Sequence, residues 1–504
     1  MESRRKFMIK YVSSRNKQEA VSSHEAVIHG LAEDGGLYTP DHIAQKILPQ
    51  EILNCSYPEM AAKIIGTLLD DYSAEEINAC VHGAYDAHFD TEEIVPLTKI
   101  NDGYLMELWH GPTSAFKDIA LTILPHLMIS AYQKEKRNDT IAILTATSGD
   151  TGKAALAGFS DVSHTAITVF YPEIGVSPIQ KRQMQTSVGR NVDVIAVKGN
   201  FDDCQRMVKQ AMSDPEVLAS LDGVTLSSAN SINIGRLVPQ IVYYYSSYAK
   251  LVNSGAIADG DRVNFAVPTG NFGDILAGWI AKQLGLPIHK LICASNRNHV
   301  LTDFLQTGVY SIKRPFHTTM SPSMDILISS NLERLLFMMS GNDDAFVKEM
   351  MQQLKQNGRY AVPQELRKKI QESFCGYWTN EEECSAAMHD LFQCEHVLID
   401  PHTAVAMHAA KQYKAETGDK APCIILSTAS PYKFSHDVLK AVADEDIADD
   451  FAAMDRLHEL SKMPIPQGLA ELKKMPVRFR RSIEIKDGMH VIADRMKEIA
   501  HAED

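Results

Sequence analysis

The segment WHGPTSAFKDIALTIL sets Lys117 where an apolar stretch gives way to a helix, with Phe116 before it and a turn of small residues upstream. A lysine so placed leaves bulk water, and desolvation disfavours its ammonium form. The free amine can then condense with an aldehyde near neutral pH to give a Schiff base. One lysine settles nothing alone. What it serves depends on the polar turns that accompany it.

Two glycine-rich turns offer places for anions. In TATSGDTGKAA (145–155), Gly149 and Gly152 let a ligand approach the backbone, and Ser148, Asp150 and Thr151 add side-chain groups to free helix-start amides. A substrate carboxylate suits that turn. The same residues also cap a helix well, and the segment alone does not choose between the two. It is not a nucleotide P-loop, since the glycines stand too close and Ala154 follows the lysine. In VPTGNFGDILAG (267–278), Gly270, Asn271, Phe272 and Gly273 can present amides to a phosphate. Asp274 reads as a helix-start residue favoured by the dipole, because a carboxylate repels a phosphate. Here too a plain turn is an equal reading.

Two further segments carry polar groups. ILSTASPYKF (425–434) ends an apolar strand in Ser427, Thr428 and Ser430, hydroxyls able to hydrogen-bond a ring nitrogen or merely to satisfy their own turn. SSANSINIGRLVPQIVYYY (227–245) sets Asn230, Ser231, Asn233 and Arg236 ahead of a helix; Arg236 can hold a phosphate bidentately, and the tyrosines read as packing. His110, His402 and His408 lack metal-ligand spacing and read as structural, so no metal site is expected.

The elements that position these groups are short apolar strands followed by turns and amphipathic helices. TIAILTATS, HTAITVFYP, VDVIAVKG, RVNFAVPTG, HKLICASN, EHVLIDP and APCIILSTAS read as strands. Strands this apolar are buried on both faces, which predicts open, mostly parallel α/β sheets with ligands beyond the strands' carboxyl ends. The first 92 residues read as a mixed α/β lead-in. With 504 residues, several domains are expected. Net charge is −14, which argues against a nucleic-acid binder. The eight cysteines are scattered without a CxxC pair, as in reduced thiols. The start MESRRKFMIKYVSS lacks a secretory apolar core, and no apolar run approaches the roughly 20 residues of a membrane span. A cytoplasmic enzyme is the resulting expectation.

Taken in order, HGPTSAFKD, TATSGDTG and GNFGD closely resemble the threonine synthases, pyridoxal-phosphate enzymes of the tryptophan-synthase-β fold type. AEDGGLYTP, SPSMDILISSNLERLLF (321–337) and IDPHTAVAMHAAK (399–411) extend the likeness over most of the chain. The resemblance implies a fold type II enzyme with two open twisted sheets and an N-terminal α/β extension. It divides the chain into 1–92, a large cofactor-binding domain (93–130 and 223–504, with a C-terminal helical segment) and a smaller mobile domain (131–222). It implies that Lys117 carries pyridoxal 5'-phosphate, that Gly270 to Asp274 form the phosphate loop, and that Thr428 faces the pyridine nitrogen. Ser148, Asp150, Thr151, Asn233 and Arg236 are then the substrate-binding candidates. The implied reaction turns O-phospho-L-homoserine and water into L-threonine and phosphate, in a monomer or homodimer. A phospholyase or dehydratase releasing a 2-oxo acid shares the same parts. The basic pair Lys181 and Arg182 departs from the family pattern.

Overall fold

A computed structural model describes residues 8–43, 45–86 and 88–500. Most of the basic N-terminal start therefore lies outside the described residues. The lead-in opens with a three-stranded antiparallel sheet of β1 (Tyr11–Ser13), β2 (Asn16–Val21) and β3 (Tyr38–Pro40), ordered β2-β1-β3. Two helices follow, Tyr57–Leu68 and Ala74–Tyr85, each begun by a serine whose side chain accepts an amide while a glutamate closes the capping box. Their buried faces repeat at helical spacing, as in Met60, Ala61, Ile64, Ile65 and Leu68.

The rest of the chain builds two larger sheets. In chain order the strands are β4 (Leu97–Ile100), β5 (Gly103–Glu107), β6 (Thr140–Ala146), β7 (Thr165–Pro172), β8 (Val192–Lys198), β9 (Val224–Ser228), β10 (Val263–Pro268), β11 (Ile288–Ser295), the small antiparallel pair β12 (Val309–Ser311) and β13 (Arg359–Ala361), then β14 (Phe374–Trp378), β15 (Cys423–Ser427) and β16 (Ser482–Glu484). The first large sheet runs β14-β11-β10-β15-β5-β4 and is parallel except for the β4–β5 pair. The second runs β16-β8-β7-β6-β9 and is parallel throughout. Every residue of β6, β7 and β10 is buried, as strands covered on both faces by helices must be.

Two expectations need correction. The second sheet is wider than 131–222. It takes β9 from just beyond that span, and β16 supplies its outer edge beside β8. The helix Gly488–Ala500 then buries Val491, Ile492, Ala493 and Met496 in the same apolar cluster as Ala142 and Leu144, so the chain's end covers this sheet. The segment EHVLIDP does not form a strand. Both edges of β10 are already filled, by β11 and β15, and Leu398 and Ile399 bury in an irregular approach to the helix Pro401–Thr417. Asp400 caps that helix by accepting the amides of His402 and Thr403.

Candidate active site

The carboxyl ends of β5, β6, β9, β10 and β15 converge on one cleft between the two sheets, where open α/β sheets place their ligands. Lys117 lies in it as the residue before the short helix Asp118–Leu121. Buried Asp118 accepts the backbone amide of Thr113 at 2.8 Å and its hydroxyl at 2.5 Å, closing the HGPTS loop on itself. Phe116 donates its amide to the Thr428 carbonyl at 2.8 Å, tying that loop to the end of β15. The Lys117 side chain is only 11% exposed; its Nζ sits 3.6 Å from Asp150 Oδ2 and 3.4 Å from Ser323 Oγ. Burial lowers its pKa, Asp150 opposes that, and Lys433 and Arg236 lower it further. The amine is thus biased toward its free form.

The second turn is built to receive an anion. Gly270, Asn271, Phe272, Gly273 and Asp274 all line the cleft. Phe272 adopts φ 62° and starts the helix Gly273–Leu284 without a side-chain cap. Among the described residues, none accepts the backbone amides from Gly270 to Ile275. A Cβ on Gly270 would stand 2.7 Å from the Ser323 carbonyl oxygen, so only glycine fits there. From behind, Asn331 donates its amide to the Asn271 carbonyl at 3.0 Å, and Ser329 Oγ donates to the Gly270 carbonyl at 2.7 Å. These free amides fit a cofactor phosphate. Asp274 turns away from that role. Its Oδ1 accepts the hydroxyls of Tyr243 at 2.5 Å and Tyr244 at 3.0 Å, so two of the tyrosines read as packing also anchor the loop. Burial raises its carboxyl to about 6, against those two hydrogen bonds and Lys117.

The first turn brings Ser148, Asp150 and Thr151 to the cleft, with Thr147 Oγ1 accepting the amides of Gly149 and Gly152 at 2.9 and 2.8 Å. Asp150 is fully engaged by protein. Besides Lys117, its carboxylate meets Lys433 Nζ at 2.7 Å and Gln180 Nε2 at 2.7 Å. Burial alone would raise its pKa, but Lys433 and Lys117 hold it well below the usual carboxylate range. Arg236 also lines the cleft. It is 2% exposed, one Nη donates to the Ala229 carbonyl, and its Nε has no partner among the described residues. Burial lowers the guanidinium to about 10. Thr428 completes the wall, and its hydroxyl has no partner among the described residues.

Asn233 does not join the cleft. Both its amide hydrogens are spent, on the carbonyls of Val27 and Ser228, and its oxygen caps the helix Ile234–Leu237. Arg182 likewise points elsewhere, donating to the carbonyls of Leu472 and Met475. Four residues that sequence reasoning did not assign to the site take part in it. Lys433 and Gln180 hold Asp150, while Ser323 and His402 line the cleft. His402, read as structural, donates from Nδ1 to Asp400 at 2.5 Å and accepts the Ser323 amide on Nε2 at 3.2 Å. A signal for Lys433 was present: a lysine set between two aromatic residues, Tyr432 and Phe434.

Residues 92–429 match the family model for pyridoxal-phosphate dependent enzymes, residues 10–85 that for the threonine synthase N terminus, and residues 403–487 that for the threonine synthase C-terminal region. Threonine synthase from Pseudomonas aeruginosa is 36% identical over 441 residues, covering 86% of this chain and 90% of that protein. The chain belongs to the threonine synthase family. The solved structure of pyridoxal-phosphate-bound threonine synthase from Brucella melitensis superposes with a TM-score of 0.85 at 34% identity, covering 98% of this chain and 100% of the other. That of the yeast threonine synthase gives 0.86 at 33%, covering 98% and 99%. Threonine synthase-like 1 from Homo sapiens is 37% identical over 494 residues and covers 94% of this chain; the chain spans 65% of that protein's length. It spans 58% of the Pongo abelii counterpart. The fold is that of fold type II pyridoxal-phosphate enzymes, and the cofactor is pyridoxal phosphate. Among the described residues, no helix is long and apolar enough to cross a membrane.

Proposed function

We propose that the protein converts O-phospho-L-homoserine and water into L-threonine and inorganic phosphate. The observation that carries this reading is the convergence on one cleft of a buried lysine and two anion-receptive turns, with a buried arginine beside them whose Nε has no acceptor among the described residues. Gly270 to Gly273 would hold the cofactor phosphate, Lys117 its aldehyde carbon and Thr428 its ring nitrogen. When bound, the cofactor supplies an electron-withdrawing ring that acidifies the carbons next to a substrate's amino nitrogen.

The chain's own residues supply the rest. The 147–152 turn receives the substrate carboxylate at a helix start. Arg236, which lines the cleft and has a free Nε, would take the departing phosphate oxygens. The Lys117 amine, biased toward its neutral form, takes the proton from Cα and returns one there at the end. Met324, Ile326 and Phe201 line the cleft with apolar surface that limits stray water.

Purified protein loaded with pyridoxal phosphate should release threonine and phosphate from O-phospho-L-homoserine in equal amounts. Appearance of 2-oxobutyrate instead would move it to the phospholyases. Borohydride reduction of the loaded protein should label Lys117, and Lys117→Ala should lose both the label and turnover while keeping the wild-type circular dichroism spectrum.

A further inference from the structure

Asp150 is an awkward neighbour for an anion. Its carboxylate lines the cleft beside Ser148 and Thr151, in the turn where an α-amino acid substrate would set its own carboxylate. Unbalanced, it would repel that group, and it would also hold Lys117 as an ammonium. The structure supplies the balance from the opposite side. Lys433 is completely buried, does not line the cleft, and places Nζ 2.7 Å from Asp150 Oδ1 and 2.9 Å from the Thr113 carbonyl. Lys117 stands further from the same carboxylate, at 3.6 Å. Gln180 Nε2 adds a neutral donor at 2.7 Å. The stronger claim on Asp150 is therefore held by a lysine that cannot react.

We propose that Lys433 is a charge-balancing positioning residue: by neutralising Asp150 across the cleft, it lets the 147–152 turn accept a substrate carboxylate and leaves the Lys117 amine free to react. This rests on the reading above, that an α-amino acid docks at that turn. Asp150 comes from the helix after β6 and Lys433 from the turn after β15, so the ion pair also joins the two sheets. That purely structural role is the rival account. The other charged or titratable groups facing this cluster are Arg236 after β9 and Asp274 after β10, which act on Lys117, His402 beyond Ser323, and Asp118 and Lys153, which act on Lys433 and on each other.

The test is a pH titration of the cofactor absorbance in loaded wild type, Lys433→Met, Asp150→Asn and the double variant. No substrate is involved, so the result stands whatever the protein turns over. Lys433→Met leaves Asp150 uncompensated and should move the transition to higher pH by about one unit or more; Asp150→Asn should move it down by a similar amount. The double variant, with both charges gone, should return close to wild type. A structural tie predicts no opposed shifts and no recovery. In a second arm, L-2-aminobutyrate and its amide are compared by their effect on the same band. Lys433→Met should lose the preference for the acid by on the order of a hundredfold, and the double variant should regain most of it. Where Lys433→Met fails to fold, Asp150→Asn and the double variant decide. The proposal is overturned if Asp150→Asn leaves the transition in place, or if a folded double variant still discriminates against the acid.

Discussion

Asp274 gives the most quantitative handle on this site. Its Oδ1 is clasped by Tyr243 and Tyr244, yet its Oδ2 is buried with no partner among the described residues. Burial raises its carboxyl from an ordinary 3.8 to about 6. The fold therefore prefers the protonated acid. Its contribution to stability is fully present below pH 3.8, falls away as pH rises to about 6, and is flat beyond. At about 1.4 kcal/mol per unit of pKa, the loss amounts to about 3 kcal/mol. Asp274→Asn keeps the shape and an acceptor for both tyrosines but cannot ionise. Measured by urea unfolding of the cofactor-free protein, the variant should gain on wild type by about 2 to 3 kcal/mol between about pH 4 and about pH 8. The same titration bears on cofactor binding. Asp274 lines the cleft with the loop, so its ionised carboxylate would repel a phosphate held there. Wild-type affinity for pyridoxal phosphate should thus weaken across this window relative to the variant. A stability gap that is the same at both ends of the pH range would refute the reasoning, because it would mean that Asp274 titrates alike in the folded and unfolded chain.

Gly149 has φ 142°, and a Cβ there would stand 2.5 Å from the Gln180 carboxamide that holds Asp150. Gly149→Ala should cost about 1–3 kcal/mol of stability by thermal melting and lower kcat/KM as Gln180 is displaced. Asn233→Ala removes two donated hydrogen bonds and a helix cap from a fully buried position. It should cost about 2–4 kcal/mol while changing KM by less than about twofold, since the side chain lies outside the cleft.

The parts of this protein legible in its sequence are those whose function is written within one strand and the turn after it. Continuous burial of β6, β7 and β10 shows in their unbroken apolar runs, and the anion turns show because glycine and small polar residues follow them directly. Where a role depends on which loop faces which, local pattern has no purchase. Asn233 and Arg236 share one turn and similar polarity, yet one spends its hydrogen bonds on the N-terminal extension and β9 while the other opens onto the cleft. The short strand β16 is only three residues long, too brief for an alternation, and is strand at all because β8 has an open edge for it. Asp150 is the sharpest case. Its residue type suits a helix start, a substrate-binding turn and a buried ion pair equally. The choice among them is made by Lys433 and Gln180, which approach it from the turn after β15 and from the helix Pro178–Gln185. The same logic limits what total charge can say. A chain of net charge −14 still gathers Lys117 and Lys433 around one carboxylate, because burial and short range make local charges outweigh a solvent-screened total.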